Sequence, residues 1–262
     1  MDAGRFDPTT DTPAQAARRR FAAHRPAVHG VGALAVLTVL GFVEPLLAGP
    51  FATDPIVRAL DAGHTTLALA LVGGTLAAIV GAGWGVLAVT IGGRAERRLT
   101  ALAQGLAALP LALLPVLAGG LLGRGVDLLI LAVAAAAAPA AALATRTTLR
   151  ARARREYAMA ARAAGLTPAM VLWRHTIPNL AGPLLAAVWP VLPRALAVES
   201  FAGVVGLGAP APVDTWGTLI GGALTAPFGA GLLAPALLLA AALAALNAVG
   251  DGVAASFPEE RP

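Results

Sequence analysis

Six stretches of apolar residues, each about as long as a bilayer is thick, govern what this chain can become. They run approximately over 28–48, 65–91, 100–121, 126–145, 180–202 and 229–250. A helix rises about 1.5 Å per residue, so about 20 apolar residues cross the roughly 30 Å hydrocarbon core. Hydrophobic residues make up 58 % of the 262 and charged residues 13 %, against about 25 % charged in an ordinary globular domain. A water-soluble chain of this size has no core large enough for so much apolar surface, and disorder is excluded on the same ground. The fold class expected is all-α: a polytopic integral membrane protein with about six transmembrane helices. The first stretch is no cleavable signal peptide. It is too long for an h-region, and Glu44-Pro45 follows it instead of a small-residue cleavage site. The fifth stretch is the weakest, because it carries Pro183, Pro190, Pro193, Arg194 and Glu199.

Several chemistries are excluded by what is missing. There is no cysteine, hence no disulfide, thiolate metal site or thiol nucleophile. His24, His29, His64 and His175 are scattered and make no ligand cluster. All 19 basic residues are arginine, so no P-loop lysine exists, and Gly203, Gly206 and Gly208 form no phosphate cradle. The chain is expected to bind no cofactor and no nucleic acid. An intramembrane enzyme would need paired acids, a Ser/His set or metal ligands within spans, and none is visible.

The arginines set the orientation. Arg5, Arg18, Arg19, Arg20 and Arg25 precede the first stretch, and Arg94, Arg97 and Arg98 separate the second from the third. Seven more, from Arg146 to Arg174, lie between the fourth and fifth, and Arg261 follows the sixth. The opposite side receives only Arg58 and Arg124. The positive-inside rule then puts both termini in the cytoplasm, and a six-span count independently requires them on the same side. The organisation expected is a cytoplasmic tail at 1–27, a six-span unit at 28–250 and a cytoplasmic tail at 251–262. The unit would hold a cytoplasmic loop at 146–179 and an external loop at 203–228. At roughly 2.5–3.5 kcal/mol per arginine, the 146–179 loop cannot enter the bilayer. From charge alone it is either a solvated basic loop drawn to anionic lipid or a docking element.

Its sequence favours docking. The run Arg155-Glu156-Tyr157-Ala158-Met159-Ala160-Ala161-Arg162-Ala163-Ala164-Gly165 reads as a short helix stopped by glycine. Leu166-Thr167-Pro168 then offers an N-cap and a proline for the first turn of a second helix, which would run to about His175. Pro178-Asn179 ends it and restarts the chain toward the fifth span. The alanines leave a thin surface suited to a groove on another protein.

This segment resembles the EAA loop of ABC importer permeases, and most closely the peptide/nickel branch. There the pattern is roughly Glu-Tyr-x-x-Ala-Ala-Arg-Ala-x-Gly followed by His-x-x-Pro-Asn. Glu156, Tyr157, Ala160, Ala161, Arg162, Ala163, Gly165, His175, Pro178 and Asn179 match in register, with Met159 where the wider superfamily has glutamate. Glu199-Ser200 and Gly206-Leu207-Gly208 correspond to that branch's Glu-Ser-Ser-Leu-Ser-Phe-Leu-Gly-Leu-Gly. Pro212 and Trp216-Gly217 fit its Pro-Pro-x-x-Ser-Trp-Gly, and Asn247 to Gly252 resembles Asn-Leu-Leu-Gly-Asp-Gly. The Arg25 start and the Glu44 to Ala48 exit resemble the C-type subunit of dipeptide and oligopeptide permeases. The sequence departs from the branch after the first span, where only Ala52-Thr53-Asp54, Arg58 and Asp61 survive. It departs again at Phe201-Ala202-Gly203 and at Arg194, where relatives tend to have glycine.

The resemblance implies a permease subunit in the cell membrane that works with a homologous second permease. It further implies two ABC ATPase subunits or a fused one, which would use the ATP and Mg, and an extracytoplasmic substrate-binding protein. Cargo would be a dipeptide or oligopeptide, with nickel or haem as alternatives; an ion-coupled secondary transporter is the rival mechanism. Glu156, Tyr157, Ala160, Ala161, Arg162, Gly165, Leu166, His175, Pro178 and Asn179 would couple to the ATPase, although Glu156 also suits a helix start on dipole grounds. Arg194, Glu199 and Ser200 are candidates for the translocation path, since ionisable residues in spans mark functional sites by default. Glu199 equally suits a carboxylate satisfied by backbone or water. Five residues separate Arg194 from Glu199, about 140° around a helix, so they make a poor pair. Asp54, Trp216 and Gly217 are candidates for binding-protein contact, with Trp216 alternatively an interfacial anchor.

Overall fold

The structure is a computed structural model and describes residues 12–47, 53–110, 113–152, 170, 173 and 177–257. Among these residues ten helices form and no strand. They are α1 (Pro13–Ala23), α2 (Arg25–Leu47), α3 (Pro55–Ile91), α4 (Gly93–Ala108), α5 (Leu113–Leu121), α6 (Val126–Arg152), α7 (Ile177–Val188), α8 (Val191–Val204), α9 (Trp216–Ala223) and α10 (Ala230–Ser256).

Four segments are long and apolar enough to cross a membrane: Pro55–Ile91, Val126–Ala151, Leu180–Val204 and Ala230–Ser256. The pair α4–α5 supplies a fifth crossing if counted as one span. The 23 residues of α2 reach about 34 Å at the helical rise. The all-α membrane architecture is as expected, and the helix count is roughly so. One expected span is corrected: 100–121 is not a continuous helix, because α4 and α5 meet at 80°. The cause is Pro110. Its ring disfavours helical backbone in the residue before it, and Leu109 is accordingly extended, with φ −68° and ψ 146°. The prolines expected to weaken the fifth span produce a turn at Trp189-Pro190 between α7 and α8. Pro193 falls in the first turn of α8, where a missing N–H is tolerated.

Several elements reach beyond the apolar stretches. Asp54 caps α3, its Oδ1 accepting from the backbone of Ile56 at 2.8 Å and Val57 at 3.4 Å, and Pro55 occupies the first helical position. The helix therefore starts ten residues before the apolar stretch. The tail at 1–27 contains α1, started by a capping box in which Thr12 and Gln15 exchange side chain-to-backbone hydrogen bonds. The loop at 203–228 contains α9, and the tail from 251 remains helical to Ser256.

The core is built on α3. Its small residues Gly73, Gly74, Ala77, Gly81, Gly85 and Ala88 are buried and lie mostly four apart, which puts them on one helical face. α6 presents the matching face through Ala134, Ala137, Ala138, Ala141 and Ala142. The backbones approach until a Cβ on Gly81 would overlap the Ala138 carbonyl oxygen. One on Gly85 would lie 2.6 Å from the Ala142 carbonyl oxygen. Small residues are what such helix pairs need in lipid, where close van der Waals contact replaces the hydrophobic drive. Leucines, isoleucines and valines instead cover much of the outside, among them Ile79, Val80, Leu87 and Leu237. An apolar surface of that extent suits acyl chains rather than water.

Contacts sort the connecting segments to two ends. At one, Arg20 donates to the Ser256 carbonyl at 3.4 Å, Gly182 abuts the Phe257 ring, Leu149 packs with Leu180, and Glu96 meets Arg146 and Arg150. At the other, Gly41 approaches His64, Arg58 pairs with Asp214 at 2.7 Å, and Arg124 donates to the Ala209 carbonyl at 3.1 Å. The arginine-dense segments before α2, after α3 and at the end of α6 therefore share one end of the bundle.

Candidate functional site

Most of the residues that match the EAA-type loop, namely Glu156, Tyr157, Ala160, Ala161, Arg162, Gly165, Leu166 and His175, lie outside the described residues. Pro178 and Asn179 fall in the first turn of α7, which agrees with their reading as the restart toward the fifth span. The structure describes the two roots of the loop. On one side α6 ends at Arg152, and on the other α7 begins at Ile177. Leu149, fully buried, packs against Leu180, with Val86, Val89, Ile177 and Leu184 around them. The loop thus leaves and re-enters the bundle at neighbouring points.

At the same place sits an ion cluster that crosses from α4 to α6, with a buried carboxylate between two partly exposed arginines. Glu96 is 5 % exposed. Its Oε1 accepts from Arg146 Nε and Arg150 Nε, both at 2.9 Å, and its Oε2 accepts from Arg150 Nη2. Arg146 and Arg150 stand one helical turn apart and would repel each other if no anion lay between them. The two-point grip by Arg150 fixes direction as well as distance, as guanidinium–carboxylate pairs do.

The fifth span carries the second group. α8 buries Val191, Pro193, Ala195, Leu196, Val198, Glu199, Ser200, Ala202 and Gly203 and exposes Arg194, Ala197 and Phe201. Arg194 and Glu199 therefore point to different sides, as their spacing requires. Glu199 is fully buried within this chain. The Ser200 hydroxyl donates to its Oε2 at 3.2 Å, Thr215 lies beside the carboxyl, and Oε1 has no hydrogen-bond partner among the described residues. In this chain Glu199 and Ser200 join α8 to the start of α9, and they form no open surface together with Arg194.

Trp216 and Gly217 were expected at the external surface, as a binding-protein contact or an interfacial anchor, and this is corrected. Trp216 is 1 % exposed. Its indole N–H donates to the Ala59 carbonyl at 2.7 Å, and its backbone N–H to Thr66 Oγ1 at 2.8 Å. Its ring lies against Gly63, where a Cβ would come within 2.9 Å of it. Gly217 lies on the Ser200 backbone so closely that no Cβ fits. The reason is geometric: α9 folds back into the bundle, so its first residues face α3 and α8 rather than solvent. Asp54, in contrast, is exposed, with its carboxylate engaged in capping α3.

Residues 73–258, which hold the α3–α6 seam, the loop roots, α8 and α9, match the family described as binding-protein-dependent transport system inner membrane component. The chain belongs to this family. Among its relatives is the oligopeptide transport system permease protein OppC of Bacillus subtilis, 27 % identical over 204 residues. That match spans 76 % of this chain and 66 % of the Bacillus protein. OppC of Haemophilus influenzae is 27 % identical over 91 % of this chain and 86 % of its own length. OppC of Escherichia coli K12 is 26 % identical over 91 % and 88 %. The fold resembles that of the MetNI methionine ABC transporter in two crystal forms with inward-facing conformations. TM-scores are 0.60 and 0.64, over 71 % and 76 % of this chain and 89 % and 95 % of the other, at 20 % and 21 % identity. The protein is therefore a multi-pass membrane component of a transport system, with an ABC permease fold.

Sequence reading missed three features of this permease. Glu96 was hidden in an arginine run, although a single acid among Arg94, Arg97 and Arg98 is itself a signal. Thr215, the cap of α9, sits beside Glu199 without any sequence proximity. The Arg58–Asp214 pair joins positions 156 residues apart.

Proposed function

We propose that this chain is the permease subunit of an ATP-driven importer of dipeptides or oligopeptides. The observation that carries the reading is the family match, which extends through the OppC relatives along nearly the whole chain. The subunit pairs with a homologous second permease and receives cargo from an extracytoplasmic binding protein. Two ABC ATPases, or a fused one, supply the energy and hold the ATP and Mg. Both termini and the 146–179 loop lie in the cytoplasm, as the gathering of arginines at one end supports. The loop couples the ATPases to the spans through Glu156, Tyr157, Ala160, Ala161, Arg162, Gly165, Leu166, His175, Pro178 and Asn179. Rigid-body movement of that segment biases a two-state bundle between outward-open and inward-open arrangements. Uptake of labelled peptide in cells lacking the gene tests the cargo. Peptide uptake is lost and returns on complementation, whereas loss of nickel or haem uptake alone gives those cargoes instead. Uptake into vesicles that carry no ATPase and no ATP would support an ion-coupled carrier.

Arg194 belongs to the translocation path in this reading. It stands inside the Leu180–Val204 span, exposed on the face of α8 that also carries Ala197 and Phe201. An arginine turned to lipid near the centre of a span costs about 2.5–3.5 kcal/mol on insertion scales. That face is therefore one that the second permease or a water-filled path covers. A guanidinium there attracts a peptide's terminal carboxylate. Arg194→Ala is expected to lower peptide uptake about tenfold, the factor that loss of one charge-assisted hydrogen bond of about 1.5 kcal/mol gives, at unchanged membrane abundance. Uptake of every peptide at the normal rate would remove Arg194 from the path.

A further inference from the structure

We propose that Glu96 is a positioning residue for energy coupling. It clamps Arg146 and Arg150 and so fixes the root of the 153–176 segment on the bundle, letting movement of that segment pass into the spans instead of bending the end of α6. This rests on the reading of the chain as an ATP-driven permease.

Three observations meet at this point. The first is burial at a charged end. Glu96 is 5 % exposed, in a segment whose neighbours Arg94, Arg97 and Arg98 are exposed. An ion pair on the open surface is worth little, but the Glu96 carboxylate is shielded from water and held between two arginine side chains that are themselves 32 % and 45 % exposed, so removing the arginines leaves a buried carboxylate unpaired. The second is placement. Arg146 and Arg150 occupy the last two turns of α6, and the described helix ends at Arg152. Without the carboxylate, two cations one turn apart would destabilise those turns. The third is that an adjacent face of the same turns is held as well, because Leu149 is fully buried against Leu180 at the start of α7. The end of α6 is thus fixed to α4 through charge and to α7 through apolar packing. A force applied between residues 152 and 177 meets a stiff root, and a stiff root is what transmits displacement through packed helices.

The two kinds of fixing separate experimentally, because only the ionic one depends on the charge at position 96. The complete importer, with its binding protein, second permease and ATPases, is reconstituted in proteoliposomes. Peptide uptake and ATP hydrolysis are then measured together, alongside membrane abundance and the melting temperature in detergent. Glu96→Gln keeps the side-chain shape and loses the charge. It is expected to assemble and hydrolyse ATP while uptake per ATP falls about tenfold, within the range typical of coupling between sites. Glu96→Asp is expected to recover part of the ratio, and the exchange Glu96→Arg with Arg150→Glu more than the charge-reversed single variant. If Glu96→Gln does not accumulate, Arg150→Lys decides, since it keeps the charge and loses the two-point grip; its uptake per ATP is expected to fall. A normal uptake-to-ATP ratio in Glu96→Gln, or in Arg150→Lys where that variant decides, overturns the proposal. So does a loss of uptake that only follows the loss of protein. Wild-type proteoliposomes that take up peptide without ATP would overturn the importer reading itself, and this proposal with it. ATP-driven wild-type uptake with an unaffected Glu96→Gln overturns the clamp alone.

Discussion

Gly81→Leu is expected to strip the protein from the membrane, or to leave a remnant that melts far below the wild type. A Cβ at this position would overlap the Ala138 carbonyl oxygen and lie 2.5 Å from the Ala141 Cβ. Both belong to α6, and the carbonyl is backbone that cannot rotate out of the way. The helices must separate, and separation opens the neighbouring contacts of Gly73 with Val133 and of Gly85 with Ala142 and Thr145. Extra methylenes forced into a packed core typically cost about 1–3 kcal/mol, occasionally more. Here the obstacle is main chain along a whole seam, so the cost belongs at or above the top of that range. Gly83 supplies the control. It lies half a turn away on the same helix, and nothing lies within 4 Å of a Cβ built there. Gly83→Leu is expected to leave abundance unchanged, or to raise stability slightly because glycine is a poor residue in a helix interior. Membrane abundance and thermal unfolding in mild detergent measure both variants. Equal melting of the two would mean that α3 and α6 do not approach as closely as the seam requires.

That seam shows what the sequence made legible. The apolar runs announced which segments enter lipid, because transfer into hydrocarbon is a property of each segment alone. Which faces meet is a property of pairs. The spacing of Gly73, Ala77, Gly81, Gly85 and Ala88 did carry that information, since small residues four apart line one face. The break at Pro110 was also written locally, in the restriction that a proline places on the residue before it, but hydropathy runs straight across it. Long-range charge pairing was not legible in the same way. Glu96 finds its partners 50 and 54 residues onward, and no spacing rule connects an acid at the start of one helix with two arginines at the end of another. Glu199 illustrates a different limit. A carboxylate in an apolar stretch reads as a path residue or a structural one with equal ease. The backbone contact of Gly217 with Ser200 closes it off within this chain, while Arg194 on the other face of α8 stays exposed.

Trp216→Ala is expected to cost about 3–5 kcal/mol, as truncation of a large buried aromatic does, and to bring loss of protein rather than a change in recognition. The indole occupies the junction where Ala62, Leu67 and Ala70 of α3 meet Leu196 of α8 and Ala242 and Leu246 of α10. Truncation therefore leaves a void among three spans and removes the indole's hydrogen bond to the Ala59 carbonyl. α9 has eight residues, too few to be stable as an isolated helix, so it holds its place through Trp216 and through the close approach of Gly217 and Gly221 to α8. Trp216→Phe separates the terms: most of the ring volume stays and the hydrogen bond to Ala59 goes, for a loss of about 1 kcal/mol. Gly63→Leu attacks the same junction from α3 and is expected to resemble Trp216→Ala, although position 63 is far from Trp216 in sequence. Melting temperature orders the three variants, and uptake normalised to the protein remaining shows whether any recognition is lost beyond stability. A Trp216→Ala protein that melts with the wild type, yet fails only in its response to the binding protein, would place the indole on the outer surface and contradict its burial between the spans.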